Sequence, residues 1–83
     1  MDNSRVVKWL AQRATSFNGD TYESAYEKGR RVLRSLERMA VERDAREEVL
    51  EALGRISRDG HPSVVRRHAV ELRHELLLRG VNR

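Results

Sequence analysis

The sequence predicts an all-α protein, a compact bundle of four helices with short connections. Apolar residues recur every three or four positions along most of the 83-residue chain, which is the period of an amphipathic helix. The alternating runs of β-branched residues that mark half-buried strands are missing from the sequence. We therefore expect a single domain over 1–83, with helices at about 4–18, 21–41, 45–58 and 62–79 and a frayed tail at 81–83.

The first helix is predicted from one apolar stripe and a polar start. Its stripe residues share a face at helical spacing, with Val7 and Ala11 beside them, and they are Val6, Leu10, Ala14 and Phe17. Asp2, Asn3 or Ser4 can cap the start by accepting a hydrogen bond from an unpaired amide. Asn18-Gly19 predicts the end, because glycine readily adopts the left-handed conformation that follows many helices.

The second helix has the most regular apolar face of the chain. Asp20–Glu23 predicts its start as a capping box, in which Asp20 accepts from a helix amide and Glu23 reaches back. The face consists of Tyr22, Ala25, Tyr26, Gly29, Val32, Leu33, Leu36, Met39 and Ala40. A glycine in a helix interior costs about 1 kcal/mol relative to alanine. Gly29 within this face therefore indicates the close approach of another helix.

A second capping box, Asp44–Glu47, predicts a third helix after a break near 41–43. A continuous, kinked helix through the break is the alternative. The apolar face of the third helix consists of Ala45, Val49, Ala52, Leu53 and Ile56. Asp59-Gly60 then predicts its end.

The fourth helix differs from the others because it is apolar on more than one face. Pro62 suits its first turn, where the missing N–H is no loss, and Gly80 predicts its end. Its main stripe is Val65, Ala69, Leu72 and Leu76, whereas Val70 and Leu77 lie about 100° or more around the helix. Such a helix is either central in the bundle or in contact with a partner, and the sequence leaves both open.

Composition narrows the classes of function and setting. Lys+Arg number 17 against 13 Asp+Glu, and the formal net charge of +4 favours polyanions but is small for a dedicated nucleic-acid binder. The chain has no cysteine, which fits a reducing compartment. It shows neither an apolar run of about 20 residues nor a secretory signal, so we expect a cytoplasmic protein without a membrane partner.

Two surfaces are candidates for binding. Trp9 falls off the stripe of the first helix, and an exposed tryptophan near arginine often anchors a protein interface. The predicted protein-binding patch consists of Trp9, Arg66, Val70, Arg73 and Leu77. The alternative is a nucleic-acid surface with phosphate contacts from Arg30, Arg31, Arg34, Arg38, Arg67 and His74. Ordinary helix pairing also accounts for these arginines, with Glu27 beside Arg31 and Glu37 beside Arg34 and Arg38.

Metal-binding and catalytic motifs are weak in this sequence. Glu71-x-x-His74 has the spacing used in helical di-iron sites, and His68 and Glu75 lie nearby. Those sites need two such motifs and two further glutamates, whereas here one motif lies opposite the apolar stripe. No G-x-S-x-G motif or Gly-rich phosphate loop occurs. We therefore expect no metal, no cofactor, no small-molecule substrate and no enzymatic activity.

Residues 48–72 resemble a HEAT-type helical repeat, in which two antiparallel helices flank a short turn with Asp and Pro. The matching positions are Asp59, Pro62, Val65, Arg66 and Ala69, while His68 stands where a small residue is usual. The resemblance covers under a third of the chain, without a clear second copy upstream, and implies a binding scaffold rather than an enzyme. We expect a small binding protein that acts through protein–protein contacts, as an adaptor, an inhibitor of a larger complex or a self-associating chain.

Overall fold

Four α-helices form the fold, and the computed structural model describes residues 2–16 and 19–81. The helices are α1 (Asn3–Thr15), α2 (Tyr22–Glu42), α3 (Arg46–Asp59) and α4 (Ser63–Val81). No strand occurs within the described ranges. The expected all-α bundle is confirmed, and so is the break between the second and third helices.

The helices pack as two antiparallel hairpins, one against the other. In the first, the Asn3 side chain at the start of α1 donates to the Arg43 carbonyl after α2, at 3.4 Å. In the second, the Arg46 guanidinium at the start of α3 donates to the Leu76 carbonyl late in α4, at 3.3 and 3.4 Å. Between hairpins, α1 packs on α3 and α2 packs on α4. Both α2 and α3 pack against all three other helices, so these two helices form the centre of the bundle.

Aliphatic side chains and alanines fill the space between the hairpins. The largest fully buried side chains are Leu36, Leu53, Ile56, Val32, Val49 and Val65. Every residue of the predicted α3 face is buried. No polar or charged residue is buried within the described part of the chain, so apolar burial, worth about 25 cal/mol per Å², is the main stabilising contribution.

Two of the predicted faces need correction. In α1 the buried residues are Val7, Leu10, Ala11 and Ala14, whereas Val6 is only partly buried and Phe17 lies outside the described residues. In α2, Tyr22 is 62% exposed, because it occupies the first residue of the helix and stacks on Tyr26 instead of entering the core. The apolar face of α2 therefore begins at Ala25.

The close helix approach predicted at Gly29 is confirmed, and the helix that approaches is α4. A Cβ atom at Gly29 would lie 2.6 and 2.9 Å from the two Cγ atoms of Val65. Val65 is fully buried and branched at Cβ, so its side chain has little room to move away. The contact between the hairpins requires glycine at this position.

The connection from α1 to α2 differs from the prediction. The Asp2 side chain caps α1, which ends at Thr15, whereas we expected an end at residues 17 and 18, which lie outside the described residues. The N-cap of α2 is Thr21, whose side chain accepts from the Ser24 amide at 3.1 Å. The prediction of Asp20 as the cap was therefore wrong by one residue.

Asp20 instead forms an ion pair with Lys28, in the second turn of α2, at 2.5 Å. The hydrogen bond from Lys28, with a smaller contribution from its positive charge, lowers the pKa of Asp20 against the opposing effect of desolvation. Lys28 also donates to the carbonyl of Ser16, the C-cap of α1, at 3.1 Å. One lysine thus joins the end of α1 to α2.

The break between α2 and α3 is made by the backbone of Asp44, which has a positive φ of 51°. Aspartate tolerates this left-handed conformation better than most residues. The N-cap of α3 is Ala45, which makes no side-chain capping hydrogen bond, and its amide donates to the Met39 carbonyl at 3.3 Å. The predicted Asp44–Glu47 capping box was therefore wrong, although the break itself was right.

Two hydrogen bonds hold the connection from α3 to α4. The Arg66 guanidinium donates to the carbonyl of Gly60, the C-cap of α3, at 2.8 Å, and the His61 amide donates to the Ala14 carbonyl at 3.2 Å. Pro62 precedes α4 rather than lying in its first turn. Because the connection is short and held by these bonds, α4 packs along the length of α3.

The end of α4 also differs from the prediction. The helix runs through Gly80 to Val81, so Gly80 does not end it. Of the predicted tail, Val81 is helical, and residues 82–83 lie outside the described residues. None of the helices in the described ranges is long and apolar enough to cross a membrane.

Candidate functional site

A groove of about 510 Å³ lies between α3 and α4 and is lined by these two helices alone. Its lining residues are Leu50, Glu51, Gly54, Ser57 and Arg58 from α3 and Val70, Arg73, His74 and Leu77 from α4. We call it the α3–α4 groove. A second groove, of about 310 Å³, lies between α1 and α3 and shares Glu51 and Arg58 with the first.

The centre of the α3–α4 groove is apolar. Val70 is 53% exposed, and Leu50 and Leu77 are half-buried. Val70 and Leu77 are seven residues apart on α4 and so share one side of the helix. A Cβ atom at Gly54 would have only an Arg58 nitrogen near it, at 3.8 Å, so the groove is open there. An exposed apolar patch with polar residues around it is typical of an interaction surface.

Four charged or titratable residues form the rim of the groove. Glu51 and Arg58 lie on the α3 side, and Arg73 and His74 lie on the α4 side. All four are exposed, and none forms an ion pair with another described residue. Their charges are therefore available to a binding partner.

The structure brings together three of the five residues predicted for protein binding. Val70, Arg73 and Leu77 line the α3–α4 groove. Arg66 is half-buried and binds the Gly60 carbonyl, so it has a structural role in the turn. Trp9 is 56% exposed on α1, outside the groove, with the Arg13 guanidinium 5.1 Å from its ring centroid.

The predicted site residues did not include the α3 side of the groove, which consists of Leu50, Glu51, Gly54, Ser57 and Arg58. Leu50 follows Val49 and lies off the apolar face of α3, as Val70 lies off that of α4. Gly54 lies inside a helix, as Gly29 does. The off-face position of Leu50 was therefore a usable signal, whereas Gly54, unlike Gly29, marks an open position rather than a close helix approach.

The arginines of α2 are partly engaged by neighbours. Arg30 lies 3.7 Å from Glu27 and 5.7 Å from the centroid of the Tyr26 ring, and this pair replaces the predicted pair of Glu27 with Arg31. Arg38 lies 3.9 Å from Glu42 rather than pairing with Glu37. These contacts occupy two of the four arginines in the predicted strip.

Arg31, Arg34, Arg67 and His74 are exposed and make no ion pair within residues 2–16 and 19–81. Acidic residues nevertheless lie between the strips of α2 and α4. Glu37 of α2 lies 3.7 Å from Arg79 of α4, which also pairs with Glu75. The two strips are therefore separated by carboxylates where their helices meet.

The histidines and acids of α4 are not assembled into a metal site. Glu71, His74 and Glu75 are exposed, and His68 is half-buried. Across the described residues, no group of three or more His, Asp or Glu side chains is arranged to hold a metal ion. The Glu71-x-x-His74 spacing is therefore that of two neighbouring residues on a solvated helix face.

When the chain is compared with family models, with curated proteins and with solved structures, none of the three comparisons gives a match. The class of protein is therefore defined by its own fold and groove. It is an all-α protein of two stacked helical hairpins, with an apolar groove on the second hairpin.

Proposed function

We propose that this chain is a non-enzymatic binding protein that holds another protein chain in its α3–α4 groove. The observation that carries the proposal is the clustering of Leu50, Val70 and Leu77 around an open position at Gly54. Isolated exposed apolar residues are common on protein surfaces, whereas a contiguous set in a concave site is characteristic of binding.

The arrangement of the helices supports a scaffold role. Two hairpins stacked with α1 on α3 and α2 on α4 form the unit that helical-repeat scaffolds extend by adding further hairpins. In such stacks the last hairpin needs a polar outer face unless another surface covers it. The groove on the second hairpin is apolar at its centre, so it suits contact with another helical element, as in an adaptor or an inhibitor of a larger complex.

Two matched substitutions on α4 test the proposal. Val70→Glu places a charge in the groove, whereas Leu78→Glu places one outside it, and the native side chains are 53% and 51% exposed. Cross-linking in extracts of the native cell, followed by mass spectrometry, should give adducts that Val70→Glu removes and Leu78→Glu retains. Equal adduct patterns for both variants would contradict the proposal.

Nucleic-acid binding is the second candidate, favoured by the exposed Arg31, Arg34 and Arg67, which lack ion pairs within the described residues. Phosphate contacts are strongest at low salt and weaken steeply as salt is added. Titration of random duplex DNA at low salt should show binding that Arg31→Ala and Arg34→Ala weaken. If no binding occurs at low salt, this candidate is wrong.

A further inference from the structure

We infer that the partner held in the α3–α4 groove is a second copy of this chain, an inference that rests on the proposed function. The groove has Glu51 on its α3 side and Arg73 and His74 on its α4 side. A twofold interface brings the same surface of both copies together, so a pair of opposite charges on the two sides of the patch can meet twice. Glu51 and Arg73 form such a pair, whereas Arg58 on the α3 side has no acidic counterpart on the rim.

The relative orientation of the two copies depends on how far along the helix axes the charged residues lie. The Arg46 guanidinium donates to the Leu76 carbonyl, so the start of α3 lies beside the last turns of α4. At about 1.5 Å per residue, Glu51 lies about 7.5 Å along α3 from Arg46, and Arg73 lies about 4.5 Å along α4 in the same direction. Glu51 and Arg73 thus lie at similar levels on the two sides of the groove, offset by about 3 Å plus the reach of the Arg46 side chain.

A twofold axis that lies in the interface, parallel to the helices, sets each α3 against the α4 of the other copy. Glu51 of each copy then faces Arg73 of the other, and this opposite-charge contact is made twice. Arg58, seven residues further along α3, lies about 10 Å from that contact. It therefore does not compete with Arg73 for Glu51.

The apolar centre of the groove is covered in the same arrangement. Leu50 of α3 faces Val70 and Leu77 of the other copy, while Gly54 has no side chain to keep the two surfaces apart. Burial of these exposed side chains is the main attraction, and the charged rim fixes the orientation.

The size of the surface sets the strength of the dimer. The 14 residues of α3 span about 21 Å, and two helices side by side are about 20 Å wide, which gives a flat footprint of about 400 Å² per chain. Stable complexes bury about 800 Å² per partner. We therefore expect a weak dimer that dissociates on dilution.

Sedimentation equilibrium of the full chain from micromolar to millimolar concentration tests the inference. The wild-type chain should pass from monomer to dimer, and Val70→Glu should raise the dissociation constant at least about tenfold. Leu78→Glu, on the same helix and outside the groove, should leave it unchanged. A wild-type chain that stays monomeric throughout, or a dimer insensitive to Val70→Glu, would overturn the inference.

Charge exchange tests the orientation. Glu51→Arg alone and Arg73→Glu alone should each weaken the dimer about tenfold, because two attractive contacts become repulsive. An equimolar mixture of the two variants should regain wild-type affinity, since each acid again faces a base, and this recovery also shows that both variants fold. Failure of the mixture to recover would overturn the proposed pairing.

The two proposals fail in distinguishable ways. If the chain is monomeric but Val70→Glu still removes a cross-linked foreign protein, the second copy is the wrong partner and the binding function stands. If neither self-association nor cross-linking responds to Val70→Glu, the groove is not a binding site and both proposals are wrong.

Discussion

In the first hairpin, Lys28 of α2 donates to the carbonyl of Ser16 at the end of α1, and in the second, Arg66 of α4 donates to that of Gly60 at the end of α3. Both cations lie at the negative end of the first helix dipole of their hairpin. In both hairpins, therefore, a cation of the second helix binds a carbonyl at the end of the first helix. The two hairpins are alike at their turns, and they differ in the apolar residues that they expose.

The exposed apolar residues of the first hairpin are dispersed. Trp9 lies under the Arg13 guanidinium, Tyr22 stacks on Tyr26, and Val41 lies near the end of α2. In the second hairpin, in contrast, exposed Val70 lies together with Leu50 and Leu77 in one groove, and of its described large apolar residues only Leu78 is exposed outside it. The contrast teaches that position matters more than apolar content, because only contiguous apolar area can be covered by one partner.

The largest effect is expected from Leu53→Ala, since Leu53 is fully buried on α3, which contacts every other helix. The free energy of unfolding should fall by about 2–5 kcal/mol. Urea denaturation followed by both circular dichroism and Trp9 fluorescence provides the measurement. The two signals should change together, because α3 packs against both helices of the first hairpin and so couples the unfolding of the two hairpins.

Leu78→Ala is the matched control, because Leu78 is 51% exposed and its truncation should change stability by less than about 0.5 kcal/mol. A Trp9 signal that persists while the helical signal is lost would show that the hairpins unfold independently.

The contact between the hairpins is tested by Gly29→Ala. The new methyl group would overlap Val65, which should cost about 1–3 kcal/mol even after the gain in helix propensity. Val65→Ala should itself be destabilising, because it removes buried methyl groups. The double variant should be more stable than the sum of the single changes predicts, by about 1 kcal/mol or more. Strict additivity in chemical denaturation would contradict this close contact.

The equivalence of the two turns is tested by Lys28→Met and Arg66→Met. Each change keeps an apolar stem and removes a charged donor from a carbonyl, which should cost about 1–2 kcal/mol. Lys28→Met should have the larger effect, because it also leaves Asp20 without its ion pair. Thermal unfolding of both variants measures the difference. If Arg66→Met leaves the stability unchanged, the second turn does not depend on its cation.

The smallest effect concerns pH. The pKa of Asp20 is lowered in the folded chain, chiefly by the hydrogen bond from Lys28, so the folded value lies below the ordinary value of 3.8. Because its pKa is lower in the folded than in the unfolded chain, ionised Asp20 stabilises the fold above pH 3.8. This stabilisation is lost as the pH falls through the folded pKa. The stability difference between wild type and Asp20→Asn should therefore shrink in acid, as melting curves at several pH values would show. A difference that stays constant in acid would exclude this linkage.

Periodicity predicted the helices well because it reports burial, and burial dominates this fold. The α3 face was predicted completely, and Gly29 was assigned correctly because a costly residue inside a helix requires a structural reason. Helix ends were less predictable, because they depend on competition among polar groups. Asp20 could have capped α2, but Lys28, eight residues away in sequence, engages it and leaves the cap to Thr21.

The candidate site was predicted in part for a related reason. Val70, Arg73 and Leu77 share one side of a single helix, so the sequence alone could group them. Leu50 and Gly54 join them only through the pairing of α3 with α4. Arg66 was assigned to the surface because a sequence cannot show that a guanidinium reaches back to a turn carbonyl.

The fit of Val65 against Gly29 has a consequence for how sequences of this fold can diverge. A methyl group gained at position 29 needs volume lost at position 65, and a larger residue at 65 is tolerated only while 29 remains glycine. We therefore expect these two positions, 36 residues apart in the chain, to change together in relatives of this protein. Covariation of positions 29 and 65 among related sequences would therefore indicate the contact between the two hairpins.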